Sequence, residues 1–132
     1  MSPPLPEPRR ADAESVELAV GAARAADAKG GSDVVVLDVA SVSTFCDVFV
    51  IASGRSDRQV RTMAEEVEAE LRRGWDRSPL RIEGLDHGQW VVLDYGDVVV
   101  HLFDLPTRDY YTLERLWADG VRRAWVLAPV RS

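Results

Sequence analysis

Apolar residues recur along this chain with two different periods, and the points where the period changes divide it into elements. Over residues 11–29, Val16, Ala19, Val20 and Ala23 fall on one face of a helix. Asp12 is placed to cap its start, and Gly30-Gly31 to stop it. The stripe is thin and rich in alanine, so this helix is expected on the edge or flank of a sheet. Val34 to Val39 is a β-branched, nearly continuous apolar run, and Val48 to Ala52 is a second. Both read as strands covered on two faces. Ser41 to Thr44 between them is turn-like.

The pattern breaks at Ser53-Gly54-Arg55-Ser56 and returns with helical spacing. Val60, Met63, Ala64, Val67 and Leu71 form one stripe, and Arg58, Arg61, Glu65, Glu68 and Arg72 form the opposite face. Ser56 and Gln59 fit a capping box, and Gly74 is the expected stop. Arg81-Ile82-Glu83 reads as a short edge strand. Trp90 to Asp94 and Val98 to Phe103 read as strands joined by the tight turn Asp94-Tyr95-Gly96-Asp97. Gly96 supplies the positive φ that the turn needs at its third position, so the two strands are expected to be antiparallel neighbours. A last helical segment is predicted from about Thr107 to Trp117, with Tyr110, Leu113, Leu116 and Trp117 on one face. Residues 118–132 carry little pattern. The element order predicts a single α/β domain, a mixed sheet of mostly five strands flanked by helices.

With 132 residues and 46% hydrophobic content, one core is expected. No apolar run is long enough for a membrane helix, and the Pro-rich stretch ending at Arg10 has no apolar segment behind it, so it reads as a disordered leader and not a signal peptide. The single cysteine, Cys46, cannot form an internal disulfide, which fits a reducing, cytoplasmic setting; within an apolar run it reads as a buried small hydrophobe. A net charge of −6 argues against wrapping bare nucleic acid and is compatible with a basic protein partner.

Candidate chemistry is sparse. Ser53-Gly54-Arg55-Ser56-Asp57 lacks the Gly-Lys-Ser/Thr ending of a phosphate loop and the three glycines of a dinucleotide fingerprint, so a capped strand-to-helix turn is the simpler reading. Asp94 and Asp97 could converge on a metal, but aspartate is a common turn residue whose side chain bonds nearby backbone N–H groups. His101 reads as structural and His87 as an exposed loop residue, and neither has metal-ligand spacing. The aromatic residues of the last third are the most informative. Tyr95 is expected to point to water from its turn. With Asp94, Asp97 and Glu114 it could face a basic partner, since rings with polar tips make good anchors. An ordinary exposed turn beside a core helix explains the same residues equally well.

Three runs resemble the ribosomal silencing factor family, also called RsfS or Iojap. They are the segments 49–60 (Phe49 to Val60), 83–101 (Glu83 to His101) and 108–117 (Arg108 to Trp117). The Trp-x-x-x-Asp-x-Gly-Asp-x-x-x-His run followed by Tyr-x-Leu-Glu-x-Leu-Trp is specific, and the likeness spans about residues 33–117. The resemblance implies a nucleotidyltransferase-like topology without that family's catalytic carboxylates, no cofactor and no enzymatic activity. It implies binding to the fourteenth protein of the large ribosomal subunit, a steric block on joining of the small subunit, and repression of translation when nutrients are scarce. It also implies self-association, as a homodimer, when the protein is free. Position by position, its partner-facing surface falls on Trp90, Asp94, Tyr95 and Tyr111, with Asp97 and Glu114 beside them. The implied domain is 12–117, between a leader at 1–11 and a variable tail at 118–132. After Phe103 the chain departs from the family pattern, reading Asp104-Leu105-Pro106-Thr107. The rival reading is a metal-dependent nucleotidyl- or phosphotransferase built on Asp94 and Asp97.

Overall fold

Asp12 and Ser56 decide where the two long helices begin. The Asp12 carboxylate accepts from the Ser15 N–H at 2.8 Å and starts α1 (Ala13–Ala28). The Ser56 hydroxyl accepts from the Gln59 N–H at 3.1 Å and starts α2 (Asp57–Trp75). The other half of the expected box is displaced by one residue, since the Gln59 side chain accepts from the N–H of Arg55 and not of Ser56, and its amide donates to the Lys29 carbonyl. The start of α2 is thereby tied to the end of α1. The computed structural model describes residues 10–41, 43–107 and 124–126. The helix expected from about Thr107 to Trp117 lies outside them, Thr107 itself excepted.

Helix α1 ends at the expected glycines, where Gly31 N–H donates to the Ala26 carbonyl at 2.9 Å. Helix α2 does not stop at Gly74. It continues to Trp75, and Asp76 takes the left-handed conformation at φ 53°. The N–H groups of Asp76 and Arg77 then close on Arg72 and Leu71. Aspartate tolerates this conformation because its short polar side chain bonds locally.

The strands are β1 (Ser32–Asp38), β2 (Val48–Gly54), β3 (Arg81–Glu83), β4 (Trp90–Asp94), β5 (Val98–Asp104) and β6 (Ala124–Val126). They form one mixed sheet in the order β3-β4-β5-β2-β1-β6. Among the described strands only β2 and β5 pair in parallel; the other pairings are antiparallel, β4 with β5 as the hairpin predicts. The expected mixed sheet of mostly five strands is present, and among the described residues a sixth strand is added at its edge. The sixth falls in the stretch assigned to a variable tail, and it pairs with β1.

Alternation along the strands sorts side chains onto two faces. Val36, Val48, Val50, Ala52, Val91, Leu93, Val100 and Leu102 pack with Leu18 of α1 and Met63, Val67 and Leu71 of α2. This face holds the main core, and each fully buried large apolar side chain contributes roughly 1.5–3 kcal/mol. Helix α1 is not at the flank. Leu18, Ala19, Ala22, Ala23, Ala25 and Ala26 are all buried, and α1 lies against α2, β1, β2 and β5. Its alanines are small enough to bring its backbone close to the sheet, so a thin apolar stripe suffices to place it centrally. The opposite face carries a second cluster of Leu37, Ile51 and Phe103 with Val35, Phe49, Trp90 and Val99.

Candidate protein-docking face

The second face of the sheet is built by strand register. Trp90, Val92 and Asp94 of β4 lie opposite Phe103, His101 and Val99 of β5, and Val99 and His101 lie beside Phe49 and Ile51 of β2. Both α1 and α2 belong to the other face. Phe103, His101 and Ile51 are buried, whereas Phe49, Trp90, Val92, Asp94 and Val99 are half-buried. Arg81 and Glu83 of β3 continue the same face outward and are exposed. The result is an apolar strip with a charged border on a rigid sheet, the arrangement of a protein-binding surface.

Aromatic contacts hold this strip in shape. The Trp90 ring stacks on Phe103 at 4.9 Å, and Phe49 meets His101 edge-on at 4.9 Å. The Trp90 indole N–H donates to Nδ1 of His101 at 3.2 Å. Burial pushes the imidazole down to about 4, with the Asp94 carboxylate pulling weakly the other way, so His101 is neutral at physiological pH. The structural reading of this histidine holds. His87 is exposed, and Cys46 is buried with its thiol pushed up to about 11, chiefly by burial.

Tyr95 corrects the sequence reading. Its residue is 2% exposed, and it belongs to the helix-side core. The turn sits one residue later than expected: Tyr95 N–H donates to the Val98 carbonyl at 2.8 Å, so Gly96 and Asp97 are the central pair. Gly96 has φ +90° while Asp97 stays out of the positive region, the sign pattern of a type II′ hairpin. Tyr95 is therefore a strand-end residue. Asp94 before it faces the open side, so alternation turns the Tyr95 ring toward the helices. Burial, and then the nearby Glu68 carboxylate, pushes its hydroxyl up to about 12. That hydroxyl finds no hydrogen-bond partner among the described residues.

Asp94 and Asp97 separate in the same way. Asp94 Oδ1 accepts from the Gly96 N–H at 2.8 Å, the turn role anticipated for it, and its carboxylate stays half-buried on the open side. Asp97 faces the helix layer. One of its oxygens accepts from Arg77 at 2.7 Å and the other from Ser15 of α1 at 2.9 Å. Burial works against its charge, but the Arg77 and Ser15 hydrogen bonds outweigh it and hold the carboxyl below the usual carboxylate range. The two aspartates do not converge on a point. No group of three His, Cys, Asp or Glu side chains suited to a metal occurs among the described residues.

Of the residues expected to face a partner, Trp90 and Asp94 thus share the sheet face opposite α1 and α2. Tyr95 and Asp97 are turned to the other side. Tyr111 and Glu114 lie outside the described residues. Phe49, Val92 and Val99 complete the face without having been singled out. Their signal was present in the strand alternation, which needed only the register to become legible.

The chain matches the family profile described as ribosomal silencing factor during starvation over residues 12–130. It is 41% identical to the ribosomal silencing factor RsfS of Bacillus subtilis over 102 residues, covering 75% of this chain and 83% of that one. A mouse protein named mitochondrial assembly of ribosomal large subunit protein 1 is 36% identical over 87 residues, covering 64% of this chain and 38% of that one. Among solved structures, a Chromobacterium violaceum protein superposes with a TM-score of 0.75 at 34% identity, covering 78% of this chain and 85% of that one. With this match over most of its length, a mixed sheet covered on one face by α1 and α2, and an aromatic cluster on the other, the chain belongs to the ribosomal silencing factor family.

Proposed function

We propose that this chain is a translational repressor that docks on a protein of the large ribosomal subunit, the fourteenth in the family's pattern, through the face of its sheet opposite α1 and α2. The docked chain prevents the small subunit from joining. The block is steric and needs no covalent chemistry and no cofactor. The observation that carries this reading is the half-buried strip of Phe49, Trp90, Val92 and Val99 bordered by Asp94, Arg81 and Glu83. Apolar area in the centre gives affinity, and a charged rim gives orientation and steering. A standard interface buries roughly 800 Å² per partner, which a strip three strands wide and its rim can supply. The net charge of −6 suits a basic partner. In the same reading the chain works in the cytoplasm and self-associates when free.

Sucrose-gradient sedimentation of purified large and small subunits, with and without the chain, tests this directly. The chain should travel with the large subunit, and the joined-ribosome peak should fall as it is added. A chain that stays at the top of the gradient and leaves the joined peak intact sinks the proposal.

A further inference from the structure

The loop between β1 and β2 presents an aromatic ring almost entirely to solvent. Phe45 is 91% exposed, the largest value among the exposed large hydrophobic residues of the described chain. The described residues on either side of it are held by hydrogen bonds. The buried Ser43 hydroxyl accepts from the N–H groups of Phe45 at 3.1 Å and Cys46 at 3.4 Å, and Cys46 is itself buried. Val39 N–H donates to the Asp47 carbonyl at 2.8 Å, and Asp47 N–H to the Asp97 carbonyl at 2.7 Å. The ring therefore projects from a braced turn. An aromatic with few rotatable bonds, held out in advance, loses little entropy when a pocket closes around it.

The surroundings specify the kind of pocket. No Lys or Arg occurs from Gly30 to Gly54. The Ser15–Asp97 hydrogen bond brings the first turn of α1, with exposed Asp12 and Glu14, to the same end of the fold as Asp47. Arg77, which reaches this end, is taken up by Asp97. Across the hairpin tip, Leu80 is 77% exposed and lies near Gly96. Leu80 and the β1–β2 loop are separated by three strand intervals, roughly 14 Å. The hairpin end is thus a rim of two apolar projections, with the carboxylates of Asp12, Glu14 and Asp47 at the same end of the fold.

We infer that Phe45 is a second docking anchor, seated in an apolar recess ringed by Lys and Arg on a basic protein surface of the large subunit. This rests on the docking reading above and extends its footprint from the open sheet face to the hairpin end. Carboxylates around an apolar plug favour cations around the matching recess and disfavour neutral or acidic recesses.

Co-sedimentation of the full chain with purified large subunits, over a concentration series, tests it. Phe45→Ala should raise the half-binding concentration at least tenfold, and Phe45→Leu should restore most of the loss. The melting temperatures of both variants should stay within about 2 °C of the unaltered chain, because the side chain is exposed. If the unaltered chain and Phe45→Ala bind alike, the rim is wrong and the sheet-face reading stands. If the unaltered chain does not bind, both fail together. If the chain binds protein-free large-subunit RNA in a Phe45-dependent way, the assignment to a basic protein surface is overturned.

Discussion

The Trp90 indole N–H points at Nδ1 of His101 from 3.2 Å, and this one bond settles which ring nitrogen carries the imidazole proton. Nδ1 accepts, so the proton sits on Nε2, and Nε2 is buried with no partner among the described residues. A buried donor without an acceptor costs roughly 1–3 kcal/mol, so the contact that orders the aromatic strip does so at some expense to stability.

The same histidine makes folding sensitive to mild acid. Its ordinary value of 6.5 falls to about 4 in the fold, so between those values the unfolded chain binds a proton that the folded chain refuses. Stability is complete above pH 6.5 and is lost progressively as pH falls toward 4, by up to about 3 kcal/mol. Urea unfolding at pH 7 and pH 5 should show the loss, and His101→Leu should flatten it. An unchanged slope in His101→Leu would contradict the assignment.

Tyr95 separates packing from docking. Tyr95→Phe removes a buried hydroxyl that has no partner among the described residues, so stability should hold or rise by up to about 1 kcal/mol, with unchanged binding to large subunits. Tyr95→Ala empties a core site and should cost about 3–5 kcal/mol. Any binding loss in Tyr95→Ala should therefore track unfolding measured by circular dichroism. A Tyr95→Phe protein that is fully folded but fails to bind would place the hydroxyl at the interface after all.

Asp97 is expected to matter for stability and not for docking. Its carboxylate joins α1, the hairpin and the segment after α2 through Ser15 and Arg77. Asp97→Ala should cost roughly 1–2 kcal/mol in denaturant unfolding, a figure kept low because both partners of the ion pair retain some exposure. The charge is favoured in the fold, so its contribution is present above the ordinary carboxylate value of 3.8 and fades as pH drops below it. This window lies below that of His101, and the two slopes can be resolved by titrating each variant.

Gly84 places the strip's largest ring. It sits at φ +88°, and a Cβ there would collide with the Trp90 backbone carbonyl. The following loop is gripped by Arg61, which donates to the carbonyls of Leu85 at 2.7 Å and Asp86 at 2.6 Å. Gly84→Ala should both destabilise the protein, by roughly 1–3 kcal/mol, and weaken large-subunit binding, because Trp90 must shift. The comparison is Val92→Asp, a half-buried change on the same face, which should abolish binding with a smaller loss of melting temperature. If Val92→Asp binds normally, the open face is not the docking face.

Much of the architecture was legible in the chain because it depends on local rules. Asp12, Ser56 and Gln59 cap helices through bonds spanning three or four residues. Gly96 marks a hairpin because few other residues tolerate its φ, and alternation in β4 and β5 follows from the pleat. The stop of α2 was misplaced at Gly74 because Asp76 can adopt the same left-handed conformation, and nothing local chooses between them. The expected flank position of α1 failed for a different reason. Alanine content reports how close a helix can approach its neighbours, and which neighbours it meets is decided by the rest of the chain.

What the sequence determined by itself was therefore the types of the elements from α1 to β5, the antiparallel hairpin, the buried role of Cys46, the structural role of His101, and the family likeness. Only the tertiary structure decided which way Tyr95 and Asp97 face, that Phe49, Trp90, Val92 and Val99 share one surface, and that Phe45 stands in solvent. Turn register shifts by a single residue at no local cost, yet in a strand of period two that shift exchanges inside for outside. Facing is thus a property of the whole sheet and its helix layer, and it cannot be read from the residues at the turn.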